Sequence, residues 1–133
     1  MNEIASLEGI GLPKHLGLKT LDLGKGWLEM EMEISEVHMA PNGYLHAGSV
    51  VTLADTACGF GTRTSLPEGA NGFTTIELKT NFLGTALKGT LICRAEADHL
   101  GGKTQVWSAE VTHKDTGKVI AMFRCTQMVL YPK

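Results

Sequence analysis

The sequence predicts an α+β fold: one long central helix wrapped by a curved antiparallel sheet of about five to six strands. The first observation behind this is the stretch His46 to Gly59. Projected at 100° per residue, Val50, Leu53, Ala54 and Ala57 fall on one stripe, and Gly48, Thr52, Asp55 and Gly59 on the opposite one. A surface helix would carry Lys and Glu on that second stripe. This one carries small residues and a single acid, so it is expected to be buried on nearly all sides. The second observation is that the chain after this helix is β in pattern throughout, in segments of about ten residues, each roughly 33 Å long. The third is that no other long helix is available to cover such a sheet, which must therefore curl around the one it has.

Taken in order, residues 1–14 form an N-terminal arm with a short helical turn before Pro13. Leu16 to Leu23 reads as the first strand, ended by Gly24-Lys25-Gly26. In Trp27 to Ile34, Leu28, Met30, Met32 and Ile34 alternate with Glu29, Glu31 and Glu33, the pattern of a half-buried antiparallel strand with a solvated acidic face. Ser35 to Leu45 is a loop holding Pro41 and the turn signal Asn42-Gly43. The helix follows over Ala47 to Arg63, and Ser65 to Gly72 connects it to a strand over Phe73 to Leu83. Gly84 to Gly89 turns the chain. Thr90 to His99 then alternates Leu91, Cys93, Ala95 and Ala97 against Arg94, Glu96 and Asp98. Leu100 to Lys103 leads into a strand over Thr104 to His113. The hairpin turn Lys114-Asp115-Thr116-Gly117 leads into the closing strand, Lys118 to Leu130. The order β-β-α-β-β-β-β is that of the hotdog architecture, although a generic α+β roll shares it.

A chain of 133 residues suits one domain, 1–133, with one sizeable core. Hydrophobic residues make up 43% and charged residues 20%, and the net charge is −2. That balance gives no general attraction to nucleic acid or to an anionic membrane, so neither is an expected partner, and an anionic ligand must be held by local groups. No apolar run approaches the roughly 20 residues of a membrane span, and Met1 to Leu16 lacks the pattern of a signal peptide. Cys58, Cys93 and Cys125 are widely spaced in apolar surroundings, which fits buried free thiols in a reducing compartment. The expected location is the cytoplasm.

Asp55 is the only charge between His46 and Phe60. A lone carboxylate in a buried helix is costly unless it is paired, hydrogen-bonded or in use. The residues around it carry a resemblance. Gly43-Tyr44-Leu45-His46-Ala47-Gly48, followed by Leu53-Ala54-Asp55, resembles the signature of hotdog acyl-CoA thioesterases of the phenylacetate-degradation (PaaI-like) branch. That signature is G-x-x-H-G-G with an acid nine positions after the His. The likeness extends to Gly72–Leu83, to Gly102-Lys103-Thr104-Gln105-Val106-Trp107 and to the turn Asp115-Thr116-Gly117-Lys118. It marks the branch well and the substrate poorly. Ala47 stands where the family usually has Gly, a change that preserves a backbone N–H. Ala40 stands where the family often places an Asn or Gln that binds the thioester carbonyl, and Asn42 lies two residues further on.

The resemblance implies hydrolysis of an acyl-CoA, with CoA as part of the substrate and no separate cofactor. It implies an active site at a dimer interface in a dimer or dimer of dimers. Asp55 would act as general base or nucleophile, the Ala47 and Gly48 amides would polarise the carbonyl, and His46 would hold the loop that presents them. Either Asn42 replaces the missing amide or that contact is absent, and Thr75 resembles a Ser or Thr that assists water. Physical chemistry is consistent with this. Thioester hydrolysis needs a polarised carbonyl and an activated water or a carboxylate nucleophile. Free N–H groups at a helix N-terminus can stabilise an oxyanion. A residue eight positions after Ala47 lies about 12 Å further along the axis, so one helix cannot bring Asp55 to its own N-terminus. Two helices packed antiparallel across a two-fold axis can. The pocket is then expected from the helix and the partner's strands.

Each residue also has a plainer reading. Asp55 could be tied to a neighbouring strand, His46 could simply fix the loop, and Thr75 could reflect β propensity. Lys103, Arg63, Lys79 and Arg94 are candidates for the CoA phosphates, and each alone is also an ordinary surface charge. Gly59-Phe60-Gly61 ends a helix and does not follow a strand, against a dinucleotide site. Ser49 lacks nucleophile-elbow spacing. No Cys or His spacing suggests a metal site. Two rival functions remain: a hotdog hydratase or dehydratase, whose Phe-Pro-Gly segment is missing here, and a non-catalytic acyl-CoA-binding protein.

Overall fold

The computed structural model describes residues 2–133. Two short helices, α1 (Asn2–Glu8) and α2 (Gly11–Leu16), lead into the strands β1 (Lys19–Gly24) and β2 (Trp27–Glu33). The long helix α3 (Ala47–Thr64) follows, and then β3 (Gly72–Phe82), β4 (Thr90–Leu100), β5 (Thr104–His113) and β6 (Val119–Leu130). All neighbouring strands are antiparallel, in the order β1-β2-β4-β5-β6-β3. The helical crossover therefore carries the chain from near one edge to the far edge of a single sheet. α3 packs against all six strands, which a sheet can achieve only by curving around it.

The alternation that predicts the strands also sorts their faces. Leu28, Met30 and Met32 of β2, Leu91, Cys93 and Ala95 of β4, and Trp107 and Val111 of β5 are fully buried against α3. From the helix, Leu53, Ala54, Ala57 and Cys58 meet them. Each large aliphatic side chain so buried contributes about 1.5–3 kcal/mol. Gly61 of α3 lies flat against the Trp107 ring, and a Cβ there would stand 2.6 Å from Trp107 Cη2. The three cysteines are buried free thiols. Burial pushes the Cys93 thiol up to about 12.

Three expectations need correction. The arm is two helices rather than one turn, and Pro13 sits inside α2. The first strand begins at Lys19, not Leu16, because Gly17 adopts φ 68° and its N–H returns to the carbonyl of Lys14, closing α2. The helix is not buried on nearly all sides: Ala47 and Gly48 are exposed and Asp55 is half-buried. Among the described residues, no helix is long and apolar enough to cross a membrane.

β3 is unlike the other long strands. It forms one edge of the sheet and is mostly exposed along its length. Leu78 and Phe82 pair with Cys125 and Ala121 in register, on the helix side, yet they are 42% and 48% exposed. α3 does not reach far enough to cover them.

Candidate active site

The loop before α3 is built to present the helix N-terminus. His38 is buried: its Nδ1 accepts the Ser35 N–H at 2.9 Å, and its Nε2 lies 2.8 Å from the Leu16 carbonyl, to which it donates. The His38 carbonyl in turn accepts the His46 N–H and the Ser49 hydroxyl. His46 is the N-cap, with its Nδ1 accepting the Gly48 N–H at 2.7 Å. The Gly48 amide is thus engaged within the chain. Ala47, at the first helical position, has no intrahelical acceptor for its N–H. Of the two amides expected to bind an oxyanion, Ala47 is the one left free.

Asp55 lies two turns further along. Its Oδ1 is buried without a hydrogen-bond partner. Desolvation by burial raises its carboxyl above the ordinary value of 3.8. It opens on a cavity of about 300 Å³ lined by Leu7, Pro13, Thr56, Phe60, Phe73 and Thr75, with Arg63 and Gly59 completing the wall. A tied structural carboxylate would show a partner on each oxygen, and this one does not. The Thr75 hydroxyl donates to Gln127 Oε1 at 2.7 Å. Within the chain itself, β3 and the N-terminal helices supply walls of this cavity. Gly59 is covered by the ring of Phe73.

The remaining candidates are dispersed. Asn42 is exposed in the turn before α3, where its Oδ1 accepts the Tyr44 N–H at 3.1 Å; it does not line the Asp55 cavity. Arg63 does line it, and pairs with Glu3 of α1 at 2.5 Å. Lys79 and Arg94 lie on the outer face of the sheet, away from α3. There Arg94 pairs with Glu96 at 3.1 Å and stacks 4.3 Å from the Trp27 ring centroid. Lys103 is exposed on the β4–β5 loop. The four cations do not form one cluster. Sequence reasoning missed the rings Phe60 and Phe73, the arm residues Leu7 and Pro13, and the buried Gln127. Phe60 follows Asp55 on α3, and only long-range packing brings the others to the site. No group of three or more His, Cys, Asp or Glu side chains among the described residues is placed to hold a metal ion.

A long helix enclosed by a six-stranded antiparallel sheet is the hotdog architecture, and here it carries an unpaired acid two turns from a free N-terminal amide. The chain belongs to the thioesterase superfamily, whose family model matches residues 42–120. It is similar to a 1,4-dihydroxy-2-naphthoyl-CoA hydrolase from Listeria monocytogenes, at 33% identity over 88% of this chain and 94% of that one. It is also similar to the acyl-coenzyme A thioesterase PaaI from Escherichia coli, at 27% identity over 92% of this chain and 85% of the relative. Among solved structures, a thioesterase from Haemophilus influenzae superposes with a TM-score of 0.89 at 27% identity, covering 98% of this chain and 90% of that one. The protein is a thioesterase of the PaaI-like hotdog branch, and its reaction is thioester hydrolysis.

Proposed function

We propose that the protein hydrolyses acyl-CoA thioesters at a site shared between two copies of the chain. The carrying observation is the separation of two incomplete halves on one helix. Asp55 lines a cavity and its Oδ1 is buried and unpartnered, while the free Ala47 N–H lies about 12 Å away along the axis. A second copy packed antiparallel supplies each with its complement. The exposed edge of β3, with Leu78 and Phe82 uncovered, supports a second copy on that side.

In this mechanism the thioester carbonyl oxygen accepts a hydrogen bond from the Ala47 N–H of one copy. Asp55 of the other copy takes a proton from a water whose oxygen attacks the carbonyl carbon. The C–S bond then breaks and the proton passes to the departing CoA thiolate. His46 contributes by holding the helix end, and neither metal nor redox chemistry is required. The water-based route is favoured over direct attack by Asp55 because Thr75 stands in the same cavity to bind the water.

The acyl group occupies the cavity beside Asp55. About 300 Å³ is at the small end for ligand sites, and two phenyl rings line it. A compact, ring-bearing acyl group suits it better than a long alkyl chain. The names of the Listeria and Escherichia coli relatives lend this support. The test is thiol release monitored with DTNB over aryl- and alkyl-CoAs. The wild type should favour aryl-CoAs, and Asp55→Asn should lose about 10²–10⁴-fold in kcat with the fold intact. Near-normal turnover by Asp55→Asn would remove Asp55 from the mechanism.

A further inference from the structure

Gln127 lies on β6 directly opposite Thr75 of β3 and is fully buried. Its Oε1 accepts the Thr75 hydroxyl proton, and its Nε2 has no partner. The contrast with its other cross-strand neighbour, Gln105 of β5, is informative. Gln105 is equally buried, but its Nε2 donates to the Ser65 carbonyl at 3.1 Å and its Oε1 accepts the Trp107 indole N–H at 2.8 Å. Gln105 is accounted for by the architecture: it ties the end of α3 to the sheet. Gln127 is not. A buried amide with an unmet donor is a cost to folding that an apolar side chain of the same length would avoid. The one bond it makes leads to the cavity of Asp55.

Resting on the hydrolytic reading above, we propose that Gln127 is a positioning residue that fixes the Thr75 hydroxyl so that it can only accept, and thereby orients the attacking water. A threonine hydroxyl has one proton and two lone pairs. With the proton committed to Gln127 Oε1, Thr75 offers lone pairs alone to the cavity it shares with Asp55. A water that donates one hydrogen to the Asp55 carboxylate can donate its second to Thr75 Oγ1. Its oxygen lone pair is then left for the carbonyl carbon. Without the Gln127 acceptor, the Thr75 proton is free to turn into the cavity toward the carboxylate. There it competes with the water and makes Asp55 a weaker base.

The test is a double-mutant cycle in the full-length protein with Gln127→Met, which keeps volume and removes the acceptor, and Thr75→Val. Gln127→Met should lower kcat about tenfold. KM should be unchanged, the melting temperature equal to or above wild type, and the acid limb of the kcat profile shifted to lower pH. In the Thr75→Val background, Gln127→Met should change neither kcat nor the acid limb further. A wild type that hydrolyses while Gln127→Met keeps full kcat overturns the inference and leaves hydrolysis standing. So does a loss of equal size in both backgrounds, or one that follows a fall in melting temperature. No thiol release by the wild type from any acyl-CoA overturns the acyl-CoA reading itself, and this inference with it.

Discussion

Asp55 is a carboxylate that folding disfavours and the proposed chemistry needs. Burial raises its pKa above 3.8 with no compensating bond to its Oδ1. The folded state therefore binds its proton more tightly than the unfolded chain does. Stability from this group is fully present below the unfolded value and lost as pH rises through the folded one. At neutral pH an ionised Asp55 weakens the fold, so Asp55→Asn should melt higher than wild type at pH 7, with the gap narrowing as pH falls toward 4. A melting temperature below wild type at pH 7 would contradict this. The same raised pKa sets the kinetics: the acid limb of kcat/KM should lie above the ordinary carboxylate value of 3.8. His46 shows the complementary case, a residue whose observed bonding is that of a cap, with its Nδ1 committed to Gly48.

At the scale of the element, α3 is fixed by close approach as much as by apolar burial. Gly61 is where the helix meets the Trp107 ring, and Trp107 is in turn held through its indole N–H by Gln105. Alanine at position 61 would gain up to about 1 kcal/mol of helix propensity. It would also drive a methyl group into a locked ring, and overpacking of this kind costs about 1–3 kcal/mol. Gly61→Ala should therefore lower stability by up to about 2 kcal/mol in urea unfolding; greater stability than wild type would show that Trp107 can yield. This contact was not legible in the sequence, where Gly59-Phe60-Gly61 carries no sign of which glycine faces a ring. The helix itself was legible, because its apolar stripe and lone acid span just over two turns, and so was β2, whose Leu28, Met30 and Met32 alternate cleanly with glutamates. The start of β1 was not. Leu16 and Leu18 are both buried, and only the left-handed Gly17 between them separates a helix end from a strand. The outward placement of Lys79 and Arg94 was legible in principle. Arg94 shares strand parity with Glu96, and Lys79 with Glu77, but a positive charge was read for its chemistry and not for its face.

For the whole molecule, the single chain holds the two halves of the proposed site, the Ala47 amide and Asp55, about 12 Å apart along one helix. The sequence showed both ends and their separation. It could not show the cavity, because Phe73, Leu7 and Pro13 converge on Asp55 only after β3 returns along the helix and the arm folds back over it. Nor could it show that the Gly48 amide is taken by His46, which leaves Ala47 alone. The exposed edge of β3 is long and bears apolar residues on its helix side, the kind of surface that stable folds cover. The three buried thiols should stay silent in the native protein, so DTNB reports released CoA cleanly.

The shared site is tested most directly by mixing two inactive variants. Asp55→Asn removes the carboxylate. Ala47→Pro removes only the N–H, since proline is tolerated at the first helical position and His46 already holds the extended φ −70°, ψ 130° that a following proline demands. Each variant alone should be inactive. Co-refolded in equal amounts, half the dimers should be mixed, and one of the two sites in each should carry both an intact Asp55 and an intact Ala47. The account predicts recovery of about one quarter of wild-type hydrolysis. A mixture as inactive as its components would contradict it and place both groups in one chain's own site.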